Sequence, residues 1–175
     1  MKALEEMERE LALGSVHRML LANTGSMTAL LEALFGKIRI ETETQKVIEA
    51  GTEIARILDI EEGEAVNYRA VRLVGKRVLV HATSYTPLSR LEESFKEDLM
   101  RKDTPIGKIL AKHNLESRRE ILGFGWLKAG ERFAEVFDIP SDSLLLKRNY
   151  NIIHNGKPLM NITEVFPYEM VEWER

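Results

Sequence analysis

The chain has 175 residues, enough for one domain with its own hydrophobic core and too few for two domains of ordinary size. Its 30% charged and 44% hydrophobic residues are typical of a folded protein rather than a disordered one. The net charge of −3 gives no general attraction to nucleic acid or to a membrane, so we expect neither as a partner. We therefore treat residues 1–175 as one domain, with residues 1–20 as a helical extension.

The residue content also excludes several kinds of site. There is no cysteine, which excludes disulfides, zinc–thiolate sites, iron–sulfur clusters and thiol nucleophiles. The first residues, MKALEEMERELALG, are acidic where a signal peptide requires a basic start, and no segment approaches the ~18 continuous apolar residues of a membrane span. We expect a cytoplasmic protein.

Helical patterns occupy the beginning of the chain. Apolar residues recur at helical spacing over residues 2–13, and the pattern continues through SVHRMLLAN to Thr24. A further helix, GSMTALLEALFG, follows with Ser26 as its N-cap and Gly36 at its end. We predict two helices joined by a tight turn at Gly25.

Most of the remaining segments are typical of strands. A half-exposed strand is predicted for KIRIETETQKVIEAG, a short helix for TEIARILDI, and a hairpin that turns at Gly75 and Lys76 for EAVNYRAVRLVG and KRVLVHATSYTP. Two helices follow, LEESFKEDLMRK and TPIGKILAKH, the second with Pro105 in its first turn. Next come a strand, LESRREILGFGWLKAG, and a short helix, ERFAEVFDI. A second hairpin is predicted for LLLKRNYNIIHNGKPLMNITEVFP, with its turn at Asn155 and Gly156.

The two predicted hairpins resemble each other. Each has an arginine early in its first strand, Arg69 or Arg148, then a Gly-Lys pair, and a proline at the end of its second strand. This likeness indicates a repeated pair of strands. With a helix-rich start and few crossover helices, the sequence predicts an α+β fold, a mainly antiparallel sheet of about six strands with helices packed on it.

Charged side chains fall on apolar strand faces. Glu164 shares a face with Met160 and Ile162, because side chains alternate along a strand with a period of two. Arg148 and Arg69 lie on the apolar faces of their strands by the same parity. A charge on an inward face is costly unless it is paired or bound, so these residues require an explanation.

Two interpretations of these charges are open. In the structural one, Arg148 and Glu164 form a buried salt bridge, or they are inward charges of an edge strand that prevent aggregation. In the functional one, arginines in a cavity bind carboxylates through bidentate hydrogen bonds while a glutamate handles a proton. From the residues alone, the structural interpretation is favoured.

The histidines do not indicate a metal site. His17, His81, His113 and His154 lack the spacing of metal ligands, and we expect each of them at the surface or in a turn. Ser26 has no nearby partner that would mark it as a nucleophile, so capping is its expected role. We therefore expect no metal.

Five motifs occur in order between about Leu21 and Pro167: GSMTALLE, YRAVRL, ATSYTP, TPIGKIL and R-x-Y-x-I-x(3)-GKPLM-x-I-x-E-x-FP. Together they resemble the chorismate lyase family, and more closely its archaeal and actinobacterial relatives. Members of that family cleave chorismate into 4-hydroxybenzoate and pyruvate without metal or cofactor. The resemblance implies an antiparallel sheet with two helical flaps over a buried ligand, a fold shared with effector-binding domains of bacterial transcription regulators.

The resemblance also implies roles for five residues. Arg69 in YRAVRL matches the arginine that holds a ligand carboxylate, and Glu164 in ITEVF matches the glutamate beside the product hydroxyl. Met27 in SMT and Ile106 in TPIG match residues that line the pocket from the two flaps. Arg148 matches a basic position and is the candidate second donor to a small dianionic substrate.

Two functions follow from these observations. The first is a cofactor-free chorismate pyruvate-lyase in which Glu164 and Arg69 are catalytic. The alternative is a non-catalytic module that binds a small carboxylate ligand, as a sensor of the regulator type. The oligomeric state cannot be read from the sequence.

Overall fold

The protein, in a computed structural model, is described over residues 2–101 and 106–172, and within those ranges it contains six strands and seven α-helices. The elements in chain order are α1 Lys2–Glu10, α2 Ser15–Ala22, α3 Met27–Phe35, β1 Arg39–Glu49, α4 Thr52–Leu58, β2 Ala65–Val74, β3 Val78–Pro87, α5 Glu93–Met100, α6 Ile106–Lys112, β4 Arg118–Lys128, α7 Gly130–Phe137, β5 Leu144–His154 and β6 Lys157–Pro167. Pro105, which the sequence places in a first helical turn, lies outside these ranges. None of the helices in them is long and apolar enough to cross a membrane.

The strands form one antiparallel sheet in the order β1-β2-β3-β6-β5-β4, which confirms the predicted α+β fold. Its two halves have the same connectivity, β1–α4–β2–β3 and β4–α7–β5–β6. They meet at β3 and β6, where Thr83 lies opposite Thr163, each four residues before the proline that ends its strand. The likeness of the two hairpins in the sequence therefore corresponds to a repeat in the fold.

The hairpin turns follow the sequence closely. Asn155 and Gly156 have φ of 50° and 76°, and two positive φ values in succession are what a two-residue Asn-Gly turn requires. The first hairpin turns over Gly75 to Arg77, one residue more than the predicted turn. These turns fix the register of both strand pairs, and with it the face on which each charged side chain lies.

The N-terminal helical segment is interrupted where the sequence predicts continuity. α1 ends at Glu10, and α2 begins only at Ser15. Gly14 is the N-cap of α2 in an extended conformation, with φ −73° and ψ 171°, and its backbone N–H donates to His17 Nδ1 at 2.9 Å. The sequence predicts two helices before the first strand, and the structure has three. The extra break lies before α2, because glycine is a poor helix former and a tolerated N-cap.

Helices cover both faces of the sheet. α1, α2 and α3 pack on one face with Leu73, Val80 and Phe166, and α5 and α6 pack on the same face with Ile152 and Met160. We call this the inner face. The outer face is covered by α4 at one end of the sheet and by α7 at the other.

Two of the four histidines are buried, contrary to the prediction of surface or turn positions. His17 is 3% exposed, and its Nε2 lies 2.7 Å from the backbone oxygen of Tyr168. His81 is 1% exposed, and its Nε2 lies 3.0 Å from Glu43 Oε2. Burial of His81 lowers the pKa of its ring, which the neighbouring Glu43 carboxylate only partly offsets. Both histidines are therefore structural members of the fold.

Candidate active site

A buried salt bridge joins the two strands of the second hairpin. Arg148 and Glu164 lie directly opposite each other on β5 and β6, and Arg148 Nε donates to Glu164 Oε2 at 2.6 Å. The side chains are 0% and 5% exposed. The salt bridge of the structural interpretation is present. Its edge-strand form is wrong, because β5 and β6 are interior strands of the sheet.

Arg148 also binds the C-terminal end of α2. Its Nη1 donates to the backbone oxygens of Leu20 at 2.8 Å, Leu21 at 3.3 Å and Asn23 at 2.6 Å. The last carbonyl oxygens of a helix receive no hydrogen bond from within the helix, and the helix dipole favours a cation at that end. Arg148 is therefore held on two sides by groups of the protein itself.

A cavity lies on the inner face between the sheet and the helix pairs α2–α3 and α5–α6. It contains about 560 Å³ of space not occupied by atoms, part of it continuous with solvent. Its apolar lining from the strands consists of Ile40, Val71, Leu73, Ala82 and Ile162. Gly107 of α6 faces Ser26 beside α3, so the two helix pairs meet over the cavity.

Four of the five residues expected in the site line this cavity. Arg69 and Glu164 do so from β2 and β6, Met27 from the first residue of α3, and Ile106 from the first residue of α6. Arg148 is not among the lining residues and lies beside Glu164, turned toward α2. The structure thus brings together the ends of α3 and α6, one arginine and the glutamate.

Arg69 and Arg148 occupy equivalent positions in the repeat. Arg69 lies opposite Ser84, three residues before Pro87, just as Arg148 lies opposite Glu164, three residues before the last proline of β6. Arg69 is 1% exposed, and its Nη2 donates to Thr42 Oγ1 at 3.3 Å. On the neighbouring strand nearer the centre of the sheet, Arg69 therefore lies opposite the hydroxyl of Ser84, whereas Arg148 lies opposite the carboxylate of Glu164.

Tyr150 holds the second oxygen of Glu164. Its hydroxyl donates to Glu164 Oε1 at 2.9 Å, and the ring lines the cavity. Burial raises the pKa of Tyr150, and the Glu164 carboxylate raises it further, so the phenol stays protonated and can donate. The sequence placed Tyr150 on the face of Arg148 but gave no sign of this hydrogen bond.

Residues 21–174 match the family model described as "Chorismate pyruvate-lyase Rv2949c-like". The chain belongs to this family. A Methanocaldococcus jannaschii protein named "Putative lyase MJ0807" is 39% identical over 172 residues, which cover 94% of this chain and 85% of the relative. The family predicted from the sequence motifs is confirmed.

Solved structures of regulator domains share the fold. The effector domain of PhnF from Mycobacterium smegmatis superposes with a TM-score of 0.72 over 85% of this chain and 91% of that domain, at 11% identity. A GntR-family transcriptional regulator from Bacillus cereus gives a TM-score of 0.60 over 76% and 93%, at 12% identity. The fold relation between this lyase family and regulator effector domains is thereby confirmed.

One further charged residue of this family member lines the cavity, and sequence reasoning missed it. Arg119 projects from β4, and its Nη1 donates to the backbone oxygen of Thr24, in the turn between α2 and α3. The neighbouring Arg118 is exposed and pairs with Glu120. Alternation shows only that one of two successive arginines faces inward, and the bulge between Ile121 and Gly123 prevents its assignment from the apolar residues that follow.

Proposed function

We propose that the protein is a chorismate pyruvate-lyase, which converts chorismate into 4-hydroxybenzoate and pyruvate. The observation that carries this proposal is that a buried arginine, Arg69, and a buried glutamate, Glu164, line the same cavity under two helix pairs. The chain's membership of a chorismate pyruvate-lyase family supports the same conclusion.

Arg69 is proposed to bind the ring carboxylate. A guanidinium forms two parallel hydrogen bonds with a planar carboxylate, and in a cavity with mainly apolar walls this interaction is stronger than in water. Met27 and Thr28, the first two residues of α3, line the same cavity. The unpaired N–H groups and positive dipole end of a helix N-terminus also favour an anion.

Glu164 is proposed to bind the ring hydroxyl, on the side of the ring opposite the carboxylate. β2 and β6 are two inter-strand spacings apart, about 10 Å, and the strand between them is β3. β3 presents the small side chains of Ala82 and Ser84 to the cavity, which leaves room for a six-membered ring. Chorismate carries its ring carboxylate and hydroxyl at opposite positions of such a ring.

The reaction is an elimination that makes the ring aromatic. The ether bond to one ring carbon breaks, the neighbouring carbon that carries the hydroxyl loses a proton, and its electron pair becomes the third double bond of the ring. The expelled enolpyruvyl group gains a proton and becomes pyruvate. Since aromatisation supplies much of the driving force, the protein supplies orientation, exclusion of water and one proton-handling group. Glu164 either receives the proton or, when the proton passes within the substrate, holds the hydroxyl in place.

Incubation with chorismate tests the proposal directly. We expect 4-hydroxybenzoate and pyruvate in equal amounts, resolved by chromatography, well above the spontaneous decay in a control without protein. A second candidate function, a non-catalytic sensor of small carboxylates, is favoured by the fold shared with regulator effector domains. No turnover, together with a melting temperature raised by 4-hydroxybenzoate, would support the sensor and overturn the lyase.

Arg69→Ala is expected to weaken binding of 4-hydroxybenzoate by about 10-fold to 100-fold, the range for a lost hydrogen-bonded charge pair. Isothermal titration calorimetry measures the affinity. Arg72→Ala is the matched control, because Arg72 lies on the same strand but on the outer face, where it pairs with Glu41. Unchanged affinity in Arg69→Ala would remove Arg69 from the site.

A further inference from the structure

Chorismate has a second carboxylate, on its enolpyruvyl arm, and Arg69 can hold only one. Arg148 was expected to hold the other, but it contacts Glu164 and the end of α2 and does not line the cavity. Within residues 2–101 and 106–172, two cationic side chains line the cavity, Arg69 and Arg119. The second positive charge that faces a ligand in the cavity is therefore that of Arg119.

The two halves of the repeat contribute cations to the cavity from different strands. Leu73 and Ile152 each follow the buried arginine of their half by four residues. Ile40 on β1 pairs with Leu73, and Arg119 on β4 pairs with Ile152. Ile40 and Arg119 both line the cavity from these equivalent positions. The first half thus presents a cation from its second strand, Arg69, and the second half presents one from its first strand.

One N–H group of Arg119 remains able to donate a hydrogen bond to a ligand. Its Nη1 donates to Thr24 O at 3.1 Å, and its guanidinium carbon lies 5.8 Å from the centre of the Tyr150 ring. Its Nε is buried and donates no hydrogen bond to any group in the described ranges of the chain. A buried N–H without an acceptor is unfavourable, and an anionic oxygen in the cavity would satisfy it.

The two arginines stand at opposite ends of the cavity. β2 and β4 are four inter-strand spacings apart, roughly 19 Å between backbones, and long side chains extend from both strands into the cavity. Glu164 and Tyr150 lie on the two strands between β3 and β4. A ligand with a ring carboxylate, a hydroxyl on the far side of the ring and a second carboxylate on an arm beside that hydroxyl matches this order of charges.

We propose that Arg119 binds the carboxylate of the enolpyruvyl arm while Arg69 binds the ring carboxylate. This inference rests on the proposed function, and it makes Arg119 the residue that selects dianionic enolpyruvyl ethers over simple benzoates. 4-Hydroxybenzoate lacks the second carboxylate, so Arg119 binds the substrate and not the aromatic product. Because Arg119 also contacts Thr24, it connects the proposed carboxylate subsite to the turn between α2 and α3.

The test compares a dianion with a monoanion. The dianion is 3-(1-carboxyvinyloxy)benzoate, which carries the enolpyruvyl ether on a ring that is already aromatic and so cannot undergo the elimination; the monoanion is 4-hydroxybenzoate. Arg119→Gln removes the charge but keeps a donor for Thr24. By calorimetry we expect it to weaken dianion binding by about 10-fold to 100-fold and to leave 4-hydroxybenzoate binding unchanged.

Two further variants make the comparison specific. Arg118→Gln makes the same change of charge at the adjacent position, where the side chain is 67% exposed and pairs with Glu120, and should bind both ligands as the unaltered protein does. Arg119→Lys keeps the charge and should retain part of the preference for the dianion. In steady-state kinetics, Arg119→Gln should raise KM for chorismate more than it lowers kcat.

Each outcome separates this inference from the proposed function. Equal weakening of both ligands in Arg119→Gln would assign Arg119 a structural role through Thr24 and overturn the inference, as would no weakening of either. Absence of chorismate cleavage by the unaltered protein would overturn the lyase, while selective loss of dianion binding would still support the subsite. Cleavage with unchanged dianion affinity in Arg119→Gln would overturn the subsite alone.

Discussion

Glu164→Gln is expected to lower turnover of chorismate by roughly 100-fold or more, the usual contribution of a positioned proton-handling group. An amide of the same shape cannot accept the ring proton, although it can still accept a hydrogen bond from Tyr150 or from Arg148. Binding of 4-hydroxybenzoate should remain measurable, since the carboxylate of that ligand is assigned to Arg69. Steady-state kinetics and calorimetry on the same preparation give both quantities.

The stability of this variant must be measured beside its activity. The Glu164 carboxylate pairs with a guanidinium that is 0% exposed, so the amide leaves a buried positive charge without its counter-charge, at a cost of about 3 kcal/mol. Turnover is therefore compared per folded molecule, well below the unfolding midpoint. Tyr150→Phe is the control, because it removes the other hydrogen bond of Glu164 and leaves the carboxylate intact. Lower stability with unaltered turnover per folded molecule would contradict a catalytic Glu164.

The inward position of Glu164 could be predicted because it depends on local rules alone. Alternation along β6 fixes the face, and the Asn155-Gly156 turn fixes which residue of β5 lies opposite. The same rules place Arg148 and Arg69 correctly on the inner face. Where the chain obeys a period of two between well-marked turns, the sequence therefore predicts the strand faces and their neighbours across the sheet.

The remaining contacts could not be predicted because they join distant parts of the chain. The hydrogen bonds from Arg148 to α2 span 125 to 128 residues, and no local pattern signals them. The choice of Arg119 over Arg118 depends on strand register near a bulge, and the burial of His81 depends on how β1 and α7 pack around it. Packing between elements, rather than the pattern within them, decided these features.

The structural and functional interpretations of the paired charges are compatible. Glu164 uses one oxygen for Arg148 and the other for Tyr150, and it still lines the cavity. Arg148 binds the end of α2, the first helix of the α2–α3 pair over the cavity, while holding the glutamate in position. The salt bridge can thus serve both the fold and the proposed site, with Arg148 acting through Glu164 and α2 rather than on the ligand.

Arg148→Met is expected to lower the free energy of unfolding by about 3–5 kcal/mol, which corresponds to a fall in Tm of roughly 10 °C. The change leaves Glu164 as a buried carboxylate without a cation and removes the donor to the last carbonyls of α2. Urea denaturation measures the loss. Lys147→Met is the matched control, because the adjacent Lys147 is exposed on the outer face of the same strand, and its substitution should change stability little.

A double variant separates the two causes. Adding Glu164→Leu to Arg148→Met removes the unpaired carboxylate, and replacement of a buried ion pair by apolar side chains is often neutral or stabilising. We therefore expect the double variant to be more stable than Arg148→Met alone, with the remaining deficit due to the carbonyls of α2. If Glu164→Leu changes the free energy of unfolding equally with and without Arg148, the two residues are not coupled. The stability loss in Arg148→Met then comes from the carbonyls of α2, and the salt bridge contributes no net stability to the fold.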